Sequence, residues 1–206
     1  LEHIEITENS EIEVIGRSGF GHCSTLKEFT VPKSVISIES NAFEGCISLS
    51  TLKFSPECRV ESIGPFAFHQ CSLLQSIEIP KAVKIIHDST FSGCSRLKTV
   101  NFADGSELEA IEHYAFRGCQ LLKGITFPET LKIFGSYSFE DCRSLETITF
   151  PQYVDTLGYY AFKGCVKLAD ITLPKELNHI GDHIFEGSTK ITFRNSGEKI
   201  RDHICH

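Results

Sequence analysis

The sequence lacks several features that would point to particular functions. Its 206 residues contain no methionine and no tryptophan, and the net charge is a mild −7. No apolar run approaches the length of about 18 residues that a membrane-spanning helix needs. No basic patch suggests a nucleic-acid partner. No Asn-x-Ser/Thr sequon is present, which weighs against a heavily glycosylated exterior. We therefore expect no nucleic-acid binding and no direct membrane insertion.

The sequence also lacks the spacings that catalytic and metal sites require. No glycine-rich loop follows a strand as a phosphate cradle would, and no Ser, His and Asp combination stands out. His179 and His183 are four residues apart, and His203, Cys205 and His206 close the chain. We interpret both groups as solvated polar positions, because the histidine pair lies in a predicted turn rather than on one helix face. We predict no catalytic residue, no metal and no cofactor.

One repeated segment dominates what is present. The strings "AFRGCQLLKGITFP" at 115–128 and "AFKGCVKLADITLP" at 161–174 are nearly the same. A phenylalanine recurs at a nearly constant interval, a cysteine follows it by three residues in seven of eight units, and a leucine comes three residues later. The phenylalanines are Phe20, Phe43, Phe68, Phe91, Phe116, Phe139, Phe162 and Phe185. Chance does not align three such columns, so the chain is a repeat protein.

Each unit predicts a strand and a return segment. After the leucine, apolar residues alternate with polar ones, which is typical of a β-strand, and a proline ends the strand in five units. A second short apolar pair follows. The segments 55–63 and 103–111 replace the tight proline turn by a longer one, so two units are longer than the others by two residues. A single unit cannot bury its apolar face, but stacked units bury each column as a continuous row. We therefore predict parallel strands stacked into a solenoid.

The motif in "IGPFAFHQCSLLQSIEIP" at 63–80 and "LGYYAFKGCVKLADITLP" at 157–174 resembles the BspA-type leucine-rich repeat. The resemblance covers residues 1 to about 188. It implies a leucine-rich-repeat solenoid of the α/β horseshoe class, with a parallel concave sheet of short strands and helical turns on the outer face. We expect eight such repeats, each of roughly 23–25 residues. We predict that residues 1–188 form this solenoid, entered in mid-repeat as part of a longer protein, and that residues 189–206 form a C-terminal cap.

The cysteine column has two possible readings. The cysteines could bind metal ions along the stack or form a framework of disulfides, or they could be a row of small buried thiols. We favour buried thiols, because zinc ligands come in closely spaced pairs and these cysteines are a whole repeat apart. Cys58 lies outside the column in a long turn, and we expect it to be exposed.

Two surfaces are candidates for binding. An aromatic stripe precedes the core phenylalanines by two residues, at Tyr114, Tyr137 and Tyr160. It could be a contact patch for a protein or glycan, or a seal over the outer turn. The second surface is the predicted concave strand face, which is polar and rich in threonine and could equally be plain solvated strand. Its candidate residues are Thr99, Asn101, Thr126, Thr147, Thr149, Asp170 and Thr172.

The family resemblance implies a function class without fixing a ligand. Members are mostly surface adhesins of bacteria and parasitic protozoa, so the leading hypothesis is a non-catalytic protein- or glycan-binding module of a cell-surface adhesin that contacts host cells or matrix. The alternative is an intracellular leucine-rich-repeat scaffold for protein–protein interaction. We expect a monomer, because five glutamates within residues 1–13 repel their own copies.

Overall fold

Two kinds of short strand alternate along the chain. The computed structural model describes residues 4, 6, 10–174, 177–188 and 192–194. In chain order the strands are β1 (Val14–Ile15), β2 (Glu28–Val31), β3 (Ser37–Ile38), β4 (Thr51–Phe54), β5 (Ser62–Ile63), β6 (Ser76–Ile79), β7 (Ile85–Ile86), β8 (Thr99–Phe102), β9 (Ala110–Ile111), β10 (Gly124–Thr126), β11 (Ile133–Phe134), β12 (Thr147–Thr149), β13 (Thr156–Leu157), β14 (Asp170–Thr172), β15 (His179–Ile180) and β16 (Thr192–Arg194).

The even-numbered strands form a first parallel sheet and the odd-numbered strands a second one. The pairing joins equivalent residues of successive repeats, as in Gly124 with Thr147 in the first sheet and Ile133 with Thr156 in the second. Each repeat is therefore one rung of a solenoid, and the eight strands described in each sheet agree with the predicted number of repeats. The second sheet arises from the second apolar pair of each unit.

The first sheet is interrupted twice, each time after a long turn. β4 pairs with β2 and β8 pairs with β6, but among the described strands β4 is not paired with β6, nor β8 with β10. The strands that lose their following partner, β4 and β8, are those that lead into the longer segments 55–63 and 103–111. The second sheet has one interruption, between β5 and β7. A unit with the longer turn thus keeps its pairing to the preceding rung of the first sheet and loses it to the following rung.

A row of phenylalanine rings forms the centre of the core. Neighbouring rings of the predicted phenylalanine column stack at centroid distances of 5.0 to 5.6 Å. Seven of the eight are buried, and Phe20 near the first described strand is half-buried. The leucine column lies beside them, with Leu97 and Leu122 fully buried. Stacking of whole units therefore buries the apolar columns, as the repeat predicts.

The predicted helical turns on the outer face are wrong. The described residues contain no helix, and the segment around each core phenylalanine is a series of turns. Each such segment has positive φ at two positions, as in Tyr114 at 57° and Gly118 at 71°. A left-handed residue cannot continue a right-handed helix, so no helix forms. The backbone bonds to the next rung instead, where the Phe116 N–H donates to the Ser138 carbonyl at 2.8 Å.

The cysteine column forms a second row of side chains in the core. Cys46, Cys71, Cys94, Cys119, Cys142 and Cys165 are buried free thiols. Each Sγ donates to the phenylalanine carbonyl of the preceding rung, as from Cys94 to Phe68 at 3.2 Å. Burial raises the pKa of Cys94 to about 12, which keeps the thiol protonated. The prediction of buried thiols is confirmed for these six and is wrong for Cys23, which is half-buried. Cys58 is also half-buried rather than exposed.

The two chain ends lie largely outside the described residues. Ile4 and Ile6 are partly buried against the core. Most of the predicted cap at 189–206, including His203, Cys205 and His206, lies outside the described residues. The exception is β16, which pairs in parallel with β14 and so continues the first sheet into this region.

Candidate functional site

The outward positions of the first sheet form the strand face. The following predicted candidates are exposed there: Thr99, Asn101, Thr126, Thr147, Thr149 and Thr172. Asp170 lies on β14, in register with Thr147. The pairing aligns Thr126, Thr149 and Thr172 across three adjacent strands, so their positions repeat about every 4.8 Å. The stacking of rungs therefore brings these residues together on one surface.

Two clefts divide the strand face where the sheet is interrupted. The β8–β10 cleft has a volume of about 700 Å³ and is lined by residues 99–106 and 124–130. The β4–β6 cleft has a volume of about 540 Å³ and is lined mainly by residues 52–58, 76–78 and 80–81. A further cleft of about 540 Å³ lies beside the break between β5 and β7. Each break in the sheets therefore coincides with a cleft.

The β4–β6 and β8–β10 clefts are each lined by a phenylalanine that the repeat pattern assigns to the core. Phe54 and Phe102 end β4 and β8, and both are half-buried. Their equivalents Ile79 and Phe127 are only 0% and 6% exposed. Both rings still pack against the core, with the Phe102 ring centroid 6.4 Å from that of Phe127, and both belong to strands whose following strand is not paired with them.

The aromatic stripe forms a continuous stack. Tyr114 and Tyr137 lie with ring centroids 4.9 Å apart, and Tyr137 and Tyr160 repeat the same distance. His183 extends the stack at 5.1 Å from Tyr160. All four residues have positive φ, between 56° and 59°. The sequence predicted the alignment of the three tyrosines, and the histidine takes the equivalent position in the next rung.

Charged side chains cover the flank of this stack. The Arg117 guanidinium lies 5.7 Å from the Tyr114 ring centroid and pairs with Glu140 at 2.7 Å. Lys163 lies 4.8 Å from the Tyr160 centroid and pairs with Glu186 at 2.9 Å. The Glu186 carboxylate, through this hydrogen bond, raises the pKa of Lys163. These contacts hold the rings in place and cover part of their surface.

The geometry limits what the stack offers to a ligand. Sugars and cations approach aromatic residues through the ring face, and the faces inside this stack contact other rings. Tyr114 is 36% exposed, and Tyr137 and Tyr160 are half-buried. The stack therefore presents ring edges and hydroxyl groups, and whether it binds a partner stays a prediction.

Some exposed aromatic side chains have no signal in the repeat pattern. Tyr153 is 66% exposed and Tyr159 is 55% exposed. Neither residue belongs to a column of aromatic residues in the repeat. The repeat pattern therefore gives no sign that these two rings are exposed. The repeat pattern likewise does not indicate that Phe54 and Phe102 are half-buried, because their column predicts a buried ring.

Chemical groups suited to catalysis or metal binding are sparse in the described part of the chain. Among these residues, no group of three or more His, Cys, Asp or Glu side chains could hold a metal ion. The His87 ring lies 3.0 Å from Glu112, and both side chains are partly exposed. Burial lowers the pKa of His69, which packs edge-on against Phe66. Within the same residues, no helix is both long and apolar enough to cross a membrane.

Comparison with known proteins gives a consistent result. The sequence matches the BspA type Leucine rich repeat region in six copies, over residues 1–108 and 105–204. It is similar to a solved leucine-rich repeat protein from Eubacterium ventriosum, with 26% identity and a TM-score of 0.73 over 85% of this chain and 47% of that chain. It is also similar to a T. pallidum leucine rich repeat protein, with 28% identity and a TM-score of 0.62 over 84% of this chain and 71% of that chain. The chain thus spans about half the length of the Eubacterium protein. No curated protein matches it.

Proposed function

Since the chain belongs to the BspA-type leucine-rich repeat family, we propose that it is a non-catalytic module that binds a protein or a glycan. The module acts as a monomer and is part of a cell-surface adhesin that contacts host cells or matrix. Repeats of this kind build extended surfaces on which a partner can lie. What supports the proposal here is the family membership together with a polar surface that the core does not use.

The strand face is the candidate that the geometry favours. Its threonine side chains point away from the core, and no buried contact needs them. The ring stack is more engaged, because its faces contact each other and its flank carries ion pairs. A polar face of this kind would give contacts of modest affinity, since aromatic and arginine anchors dominate strong interfaces. The single observation that carries the proposal is the aligned, exposed row at Thr126, Thr149 and Thr172.

Retention of material from host cell-surface and matrix extracts tests the proposal. Immobilised protein should retain a specific fraction, and the double variant Thr126→Lys, Thr149→Lys should lose most of it. The matched variant Tyr137→Ala removes a ring from the stack and should retain the fraction if the strand face binds. Equal retention by all three proteins would overturn the assignment to the strand face, and no retention by any protein would overturn the binding role.

An intracellular scaffold remains the alternative function. The same repeats would then bind a protein inside the cell. Protease treatment of intact cells distinguishes the two, with an antibody against the repeat region as the readout. Loss of the epitope from intact cells supports the adhesin, whereas loss only after lysis supports the scaffold.

A further inference from the structure

The two clefts of the strand face adjoin at β8, and together we call them the trough. Asn101 and Ala103 line both the β4–β6 cleft and the β8–β10 cleft, since β8 lies between them. From β4 to β10 the trough crosses three rungs, which corresponds to about 14 Å at the spacing of paired strands. It runs across the strands, along the axis of the stack. The two clefts therefore lie at equivalent positions of the repeat, two rungs apart.

Hydrogen-bonding groups of both kinds line this trough. The Asn101 amide both donates and accepts, and the hydroxyls of Thr99 and Thr126 do the same. Where β8 and β10 separate, the facing strand edges carry backbone N–H and C=O groups that no ladder pairing uses. A ligand with many hydroxyl groups can satisfy such mixed donors and acceptors, because each hydroxyl also donates and accepts.

Each cleft also lies beside one partly exposed aromatic ring. Phe54 ends the strand at the first cleft and Phe102 ends the strand at the second, and both line their cleft. The C–H face of a sugar ring is apolar and packs well against an aromatic side chain. Two clefts with one ring each match a chain of sugars better than a single small molecule.

The charges of the trough narrow the class of ligand. Lys53 and Lys81 are outnumbered by four carboxylates in the linings, at Glu57, Glu78, Asp104 and Glu129. Anionic sugars would meet this acidic excess, so it disfavours them. An extended peptide adds to a sheet by running along a strand edge, but this trough runs across the strands.

We propose that the trough from β4 to β10 binds one short neutral oligosaccharide along the stack axis. One sugar ring packs beside Phe54, another packs beside Phe102, and Asn101 bonds to the chain between them. This proposal rests on the proposed function and specifies the ligand class and its place on the strand face.

An array of immobilised oligosaccharides tests the ligand class. It carries neutral oligosaccharides together with their sialylated and sulfated counterparts. The protein should bind neutral members and bind the anionic counterparts more weakly. Binding of the anionic members alone, or of no member, would overturn the proposal.

The variant Asn101→Ala tests the place of binding on the best neutral oligosaccharide. Its Kd should rise about tenfold, the effect of losing hydrogen bonds at a central position. Thr30→Ala is the matched control, because Thr30 is exposed at the equivalent position of β2 outside both clefts. Its Kd should change by less than about twofold, as for an ordinary surface substitution. Equal changes in the two variants would contradict the proposed location.

Thiol alkylation gives a second readout without any substitution. Cys58 lines the β4–β6 cleft, whereas Cys23 is half-buried elsewhere on the surface. Saturation with the oligosaccharide should slow alkylation of Cys58 and leave the rate at Cys23 unchanged. An unchanged rate at Cys58 would refute occupation of this cleft. If extract material is retained but no neutral oligosaccharide binds, this proposal fails while the proposed function stands.

Discussion

Removing one ring from the phenylalanine row should destabilise the whole solenoid. Phe116 is fully buried, and its ring stacks on Phe91 at 5.3 Å and on Phe139 at 5.1 Å. It lies near the middle of the row, so both neighbouring interfaces use it. Phe116→Ala therefore removes contacts from two rungs at once.

The expected loss of stability follows from burial and stacking. Deleting a buried aromatic side chain costs about 3–5 kcal/mol, and the loss of two ring contacts places this variant toward the upper end of that range. Because each rung of a solenoid contacts only its neighbours, a cavity in the centre also weakens the coupling between the two halves. Tyr153→Ala is the control, because its side chain is 66% exposed and its removal should change stability by less than about 0.5 kcal/mol.

Urea unfolding with a spectroscopic readout measures both variants. Hydrogen exchange followed by mass spectrometry then locates the effect, which should be faster exchange in the rungs of Phe91, Phe116 and Phe139. An unfolding midpoint for Phe116→Ala equal to that of the wild type would refute the central phenylalanine row. Faster exchange confined to distant rungs would refute the nearest-neighbour coupling.

Three further substitutions test other parts of the stack. Gly135→Ala should destabilise the protein by roughly 1–3 kcal/mol in a urea titration, because an added Cβ would lie 2.6 Å from the backbone carbon of Glu112. Unchanged stability would contradict this close approach. Tyr137→Ala should lower the free energy of unfolding by about 1–3 kcal/mol in thermal unfolding, because the variant lacks two ring contacts. The control Tyr159→Ala removes an exposed ring and should lower it much less. Similar losses in the two variants would show that stacking contributes little. Stability should fall above about pH 9, because thiols ionise there in the unfolded chain while Cys94 in the folded protein stays protonated up to a pKa of about 12. Cys94→Ala removes this thiol and should make the fall less steep by roughly 1 kcal/mol per pH unit. Equal slopes of unfolding free energy against pH, measured by urea titration of both proteins, would contradict this.

The columns of the repeat could be predicted because each has one physical cause. A residue such as Phe116 or Leu122 must be apolar in every unit if stacked units share a core. The period of the repeat then determines which residues become neighbours in space. The strand face and the tyrosine alignment follow from the same rule, since residues between buried strand positions point outward.

The turns could not be predicted by the same reasoning. Gly118 allows positive φ, but Tyr114 in the same turn also adopts it, and tyrosine rarely does so. No local preference therefore indicates that the segment cannot be a helix. Hydrogen bonds to the next rung, such as the one from Phe116 to Ser138, stabilise the left-handed residues, and these bonds exist only after stacking.

The clefts were also beyond the reach of sequence patterns. The two longer units show where the extra residues lie, at 55–63 and 103–111. Their spacing does not show that β4 and β8 keep their pairing on one side and lose it on the other. That outcome depends on how each corner packs against the following rung, and the phenylalanines that end these two strands, Phe54 and Phe102, are half-buried.

Hydroxyl-radical footprinting tests most directly whether a partner binds to the strand face. The protein is labelled alone and again when saturated with the fraction that it retains from matrix extract, and oxidation of aromatic side chains is measured by mass spectrometry. Binding in the β4–β6 and β8–β10 clefts of the strand face predicts lower oxidation of Phe54 and Phe102, with Tyr159 unchanged. Lower oxidation of Tyr114, Tyr137 and Tyr160 with Phe54 and Phe102 unchanged would contradict it and would place the binding site on the ring stack.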